Sequence, residues 1–264
     1  MKKTLSTIGL VSIITTFLIS PVFGANISTG GVSFDELGTS EPAILIGNPF
    51  YRLKDFRWGV VRFFTSSADN LALKQSIFAE KAAEVKKVIS LNARKNEVVL
   101  EALNEYQSKA TTYKIALLNL AKNREKIVDA DEALTQAVVH MRLMDEVMGS
   151  YYNGEIKTVL MDIESQLAQI VEVLAVKMVG VKNLSFKGTA SEDLLSKIRD
   201  WETMDLIASY LEEDSSLVRA IKAYQKDCRR DILVEVGKMN EADRADFEEA
   251  LEGLVGTGGW RAFN

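Results

Sequence analysis

The chain has 264 residues, 47% of them apolar and 26% charged, which is enough hydrophobic material for one large domain or two small ones. Acidic residues outnumber basic ones by 37 to 32, and a net charge of −5 argues against nucleic acid as a partner. A single cysteine, Cys228, excludes an internal disulfide and any paired-cysteine metal site, and a single histidine, His140, excludes a His pair for zinc.

Residues 1–24 read as a secretory signal. Lys2 and Lys3 form a positive start, the stretch from Leu5 to Ile19 is apolar and uncharged, and Val22-Phe23-Gly24 suits cleavage after Gly24. An uncleaved membrane anchor is the rival, because the apolar run ending at Phe23 approaches the ~20 residues that span a bilayer. Either way the expected location is extracytoplasmic: periplasm, cell surface or medium, with the possibility of anchorage in the cytoplasmic membrane. Loss of Lys2 and Lys3 with the leader takes the net charge from −5 to −7. Residues 25–48 hold Gly30, Gly31, Gly38, Gly47 and Pro42 without a sustained period and read as a flexible tether.

No proline follows Pro49, so long helices are permitted from there onward. The spacing predicts a short helix at about 49–64 and a second, capped by Ser67, with Leu71, Phe78, Ala82, Val85 and Ile89 on one face. A third, capped by Asn96, places Val99, Leu103, Tyr106, Ala110, Tyr113, Leu117 and Leu120 at alternating spacings of four and three. Asp129-x-x-Glu132 resembles a capping box opening a fourth seam through Leu134, Ala137, Met141 and Met144. After the turn Asn153-Gly154 a fifth helix repeats the spacing with Ile156, Leu160, Ile163, Leu167 and Ile170. Short links between long helices predict an all-α fold, an up-and-down bundle of antiparallel helices over residues 49–180 with coiled-coil-like seams. The period lapses between Gly180 and Thr189. A smaller C-terminal helical subdomain is expected over 189–254, followed by a loosely docked tail at 255–264.

The candidate sites are few. His140 with Met141, Met144 and Met148 at helical spacing could ligate haem iron or copper. The simpler expectation is that the methionines fill the seam and the imidazole sits at its edge with a hydrogen bond. Cys228 lies on an apolar helix face as small filler, although Arg229 and Arg230 could activate its thiol if it were exposed. The charge-rich runs Glu80–Lys87 and Asp243–Glu249 read as solvated helix faces. The most unusual segment is 50–64, where Phe50, Tyr51 and Trp58 stand among Arg52, Lys54, Arg57 and Arg62. That mixture suits either a lid on the bundle or peripheral contact with a membrane interface.

Gly47-Asn-Pro49-Phe50-Tyr51-x-x-Lys54-Asp55-Phe56, then Phe63-Phe64-Thr65 and Ala79-Glu80-Lys81-x-x-Glu84, resembles an exported helical domain family of unknown function in bacteria and archaea. His140-Met-Arg-Leu-Met-Asp-Glu146 is similar to that family's later His-containing segment. The resemblance spans roughly residues 45–180 and implies a signal peptide followed by long helices, with no catalytic residues. The expectation from the whole sequence is a non-enzymatic cell-envelope protein with no cofactor, serving as an interaction or structural module for an unidentified protein partner. The alternative is a bundle that holds a lipid or a haem-like ligand between its helices.

Overall fold

The computed structural model describes residues 32–51, 69–92, 95–123, 129–151, 153–181 and 194–252. The protein is all-α: seven α-helices pack against one another and no strand occurs among the described residues. They are α1 (Asp69–Asn92), α2 (Asn96–Lys122), α3 (Ala130–Ser150), α4 (Gly154–Glu172), α5 (Leu194–Ser209), α6 (Ser216–Val236) and α7 (Glu241–Glu252). A π-helical turn, Val173–Val179, prolongs α4 and ends at Gly180, whose φ of 87° few residues but glycine adopt.

The expected stripes form the core. Val99, Leu103, Tyr106, Ala110, Tyr113 and Leu117 of α2 are all buried, as are Ile156, Leu160, Ile163, Leu167 and Ile170 of α4. Three helix starts are capped by side chains. Asn153 Oδ1 accepts from the N–H groups of Glu155 and Ile156, Ser215 Oγ from Val218, and Asn240 Oδ1 from Asp243. Two expected caps differ. The N-cap of α2 is Lys95 rather than Asn96, and Asp129 makes no side-chain cap bond. The backbone at Asp129, with φ −119° and ψ 53°, lacks the extended form that turns a capping side chain back onto the first turn, so the expected box is not realised there.

Polar contacts fix how the helices lie. Gln75 of α1 donates to Gln136 of α3 at 2.8 Å, and Phe78 of α1 stacks on Tyr106 and Tyr113 of α2 with centroids 5.1 and 5.5 Å apart. Thr111 and Lys114 of α2 reach Gln166 and Gln169 of α4, so those two helices run in the same direction. One large core joins α1 to α4 and takes in Met204 and Ile207 of α5 and Leu217 and Ile221 of α6. A second, small cluster gathers Leu194, Ile198, Ile232, Val236 and Phe247. The C-terminal helices expected as a subdomain thus contribute side chains to both clusters.

Two expectations are corrected. Residues 32–48 are not a loose tether: Val32, Leu37 and Ile46 are buried in the large core. Ser33 and Glu36 cap each other's backbone N–H groups, and Lys87 of α1 donates to the Pro42 carbonyl at 2.8 Å and pairs with Glu41. Gly38, at φ 72°, passes so close to Gln136 that a Cβ there would lie 2.6 Å from its side-chain nitrogen. These glycines serve turns and close approach, and the apolar residues between them dock residues 32–51, the strap, against the bundle. Nor is Glu80–Lys87 a solvated face, since Lys81 and Glu84 are each only 2% exposed. α1 is covered by α2, by α3 and by the strap, which leaves that stretch little solvent. The run at Asp243–Asp246, by contrast, is exposed.

The leader, the segment 52–68, the link 182–193 and the tail lie outside the described residues. Among the described residues no helix is long and apolar enough to cross a membrane.

Docking of the strap has a measurable weight. Replacing Leu37, fully buried in the large core, by alanine removes a side chain whose loss costs about 2–5 kcal/mol at such sites. Urea unfolding of Leu37→Ala is expected to show a lowered midpoint with unchanged cooperativity. An unaltered midpoint would return residues 32–48 to the status of a tether.

Candidate functional site

Among the described residues three buried polar clusters are each built on a tyrosine hydroxyl; the buried Arg142 and Glu146 of α3 stand outside them, with Arg142 3.8 Å from Glu36. The first joins the strap to α1. Tyr51 donates to Glu84 Oε2 at 2.7 Å, and Lys81 Nζ bonds the same hydroxyl and lies 3.2 Å from Glu84. The ammonium also sits 4.6 Å from the centre of the Tyr51 ring and 3.9 Å from Glu105 of α2. A buried lysine and carboxylate are tolerated only when each meets opposite charge and hydrogen bonds, and this cluster supplies both.

The second lies between α2 and α3. Tyr106 and His140 Nδ1 are 3.0 Å apart, and the imidazole is tilted against Phe78 with ring centres 4.4 Å apart. Burial raises the Tyr106 pKa well above its ordinary value, so the hydroxyl stays protonated. The hydroxyl is best assigned as donating to Nδ1, which puts the ring proton on Nε2; the reverse assignment would leave two polar groups unmet among the described residues instead of one. His140 Nε2 is buried and has no partner among the described residues. Burial lowers the His140 pKa to about 3, so the ring is neutral under ordinary conditions.

The third lies where α5 meets α4. Tyr210, just past the end of α5, donates to Glu164 Oε2 at 2.7 Å, while Glu164 Oε1 is buried with no partner among the described residues. Burial is the main cause that raises the Glu164 carboxyl to about 7; the Tyr210 bond opposes it and the neighbouring Asp145 of α3 adds to it. Burial raises Asp145 as well, and the Tyr210 hydroxyl is pushed up by burial and by Glu164. A carboxyl that titrates near neutrality can hold or release a proton, and the groups that face this one are the Tyr210 hydroxyl and the Asp145 carboxyl.

The residues expected at an interaction surface are divided. Phe50 is 62% exposed, whereas Tyr51 is buried, a correction that follows from its hydroxyl serving Glu84 and Lys81. Arg52, Lys54, Arg57, Trp58 and Arg62 lie outside the described residues. His140 forms the hydrogen bond expected of it but from deep inside, at 1% exposure, and Met141 and Met144 fill the core beside it. A haem-like ligand at His140 would have to displace Phe78 and Tyr106. Cys228 is half-buried, and burial is the main cause that raises its thiol pKa, with Asp231, Asp200 and Asp227 adding to it. The hydrogen bond from Tyr224 works the other way. Among the described residues no three His, Cys, Asp or Glu side chains converge as a metal site would require.

Glu164 carries no motif in the sequence, and Lys81 stands there within a motif and a run expected to be solvated, although the spacing of both signals burial. Glu164 falls four residues after Leu160 and three before Leu167, and Lys81 three after Phe78 and four before Val85. Each therefore lies on an apolar stripe where a charge needs a partner.

Comparison of the chain with known protein families, with curated proteins and with solved structures gives no match.

Two measurements follow from these environments. Glu164 has a folded-state pKa raised from 4.5 to about 7, so its contribution to stability is complete below about pH 4.5 and lost as pH rises through about 7. Between pH 5 and 8 the wild type should lose about 2–3 kcal/mol relative to Glu164→Gln in urea titrations; parallel profiles would refute this. His140, lowered from 6.5 to about 3, acts with opposite sign, and its contribution is lost as pH falls from 6.5 towards 3. An absorbance scan of the purified protein should show no Soret band, and the appearance of one would require the aromatic packing around His140 to open.

Proposed function

We propose that the chain is an exported, non-enzymatic helical module of the cell envelope, acting through its surface at or beyond the cytoplasmic membrane. The observation that carries this reading is the use made of the buried ionisable groups. Glu84, His140 and Glu164 each take a tyrosine hydroxyl that comes from a different helix or from the strap, so their polarity serves to join elements of the fold. Work done by such a molecule falls to its outer faces, with an unidentified protein or the membrane itself as partner.

The composition of the leader, with Lys2 and Lys3 before an uncharged apolar run, supports the compartment. The aromatic and basic composition of residues 50–64 suits contact with a partner or a membrane interface.

Cell fractionation with N-terminal sequencing tests the proposal. The expected result is a chain that begins at Ala25 and is recovered outside the cytoplasm. Recovery with Met1 in the membrane fraction would keep the compartment and replace cleavage by anchorage. A cytosolic chain starting at Met1 would overturn the reading.

A further inference from the structure

α6 differs from the other helices in how its outer side is charged. Leu217, Val218, Ile221, Ile232 and Val236 are buried and define its inner side. Opposite them, at about 100° per residue, Arg219, Lys222, Ala223, Lys226, Arg229, Arg230, Leu233 and Val234 fall within an arc of roughly 140°. All eight are exposed, five are cationic, and no acid stands among them. The cations run along roughly 16 Å of helix at ~1.5 Å per residue. At their C-terminal end the same arc presents Leu233 and Val234, which are 43% and 50% exposed. Asp227 and Asp231 lie on one flank, where they pair with Arg230 at 3.7 and 3.4 Å between strongly exposed groups. Such pairs are worth little and yield readily to a stronger anion.

On a chain whose net charge is −5, a face of this sign is out of keeping with its surroundings. We infer that the outer arc of α6 is a docking surface for a layer of anionic lipid headgroups, with Leu233 and Val234 entering the interface beside them. The arc is convex and runs along a single helix, so a continuous anionic surface meets it without any groove. Each lysine or arginine brought to such a surface contributes attraction, and the two adjoining aliphatic side chains add apolar burial. The inference rests on the reading of a chain held near a membrane and supplies the face that would meet it.

The test is co-sedimentation of the full-length protein with vesicles of neutral phosphatidylcholine and with vesicles carrying about one third phosphatidylglycerol. The ratio of the two partition constants removes whatever the leader contributes to both. Lys222→Ala with Lys226→Ala and Arg230→Ala keeps good helix formers at exposed positions and is expected to lower that ratio at least tenfold, with an unchanged thermal unfolding curve. Asp227→Asn with Asp231→Asn, which removes flanking negative charge, is expected to raise it several-fold. An unchanged ratio in either variant overturns the inference and passes the anionic preference, if present, to residues 50–64. Loss of self-association by the triple variant, with vesicle binding unchanged, would instead assign the arc to a second copy and also overturns it. Vesicle binding requires no export, so a cytosolic chain that still showed α6-dependent binding would end the envelope reading alone. An exported chain without such binding would end only this inference.

Discussion

Burying a titratable side chain inside a helical bundle demands a hydrogen-bonding partner, and tyrosine, whose ring is at home in a core, supplies one at each of three places here. Its ring packs like any core residue and its hydroxyl delivers one hydrogen bond at a distance the backbone of the recipient helix cannot reach. Tyr51 brings the strap to Glu84 on α1, Tyr106 brings α2 to His140 on α3, and Tyr210 brings the end of α5 to Glu164 on α4. Each hydroxyl crosses between elements distant in sequence, so the polar contacts also select which elements lie together. Apolar stripes alone would accept several neighbours, whereas an unpaired Glu84 or Glu164 would not.

The three clusters are unequal. The Tyr51–Lys81–Glu84 group combines both signs of charge with a shared hydroxyl. The His140 group is neutral, and one of its nitrogens meets no partner among the described residues. The Glu164 group has a partner among the described residues on one oxygen only and sits beside a second carboxyl, Asp145, which disfavours its ionised form. The junction of α5 with the bundle is therefore the one most exposed to changes in proton concentration, while the strap is held by the most fully compensated contacts.

Periodicity made the all-α class and most of the seams legible, because a stripe at spacings of three and four has one reading when no proline interrupts it. The turn at Asn153-Gly154 is plain in the sequence, and the extended backbone and accepted N–H groups of Asn153 make it the cap of the helix that follows. The strap was misread because glycine and proline were weighed and Val32, Leu37 and Ile46 were too widely spaced to register as a period. The burial of Lys81 and Glu84 is masked in the sequence by the charge-rich run around them: the spacing of Lys81 from Phe78 and Val85 puts it on an apolar stripe, yet the run as a whole looks solvated until neighbours cover it. The basic arc of α6 was spelled out in the sequence, yet only the burial of the opposite side assigns it to the outside.

The π-helical turn after α4 carries a different implication. The N–H of Gly180 reaches back to the carbonyl of Ala175, five residues away, so this turn holds more residues than an α-turn does. A wider turn shifts the phase of every position that follows it. Val173, Leu174 and Ala175 still face the core, but the chain then leaves in a direction that an uninterrupted helix would not have given it. Chain length at this point is therefore a steering element. Gaining or losing a single residue between Val173 and Val179 would change the direction in which the chain leaves at Gly180, without touching the side chains that line the core before it.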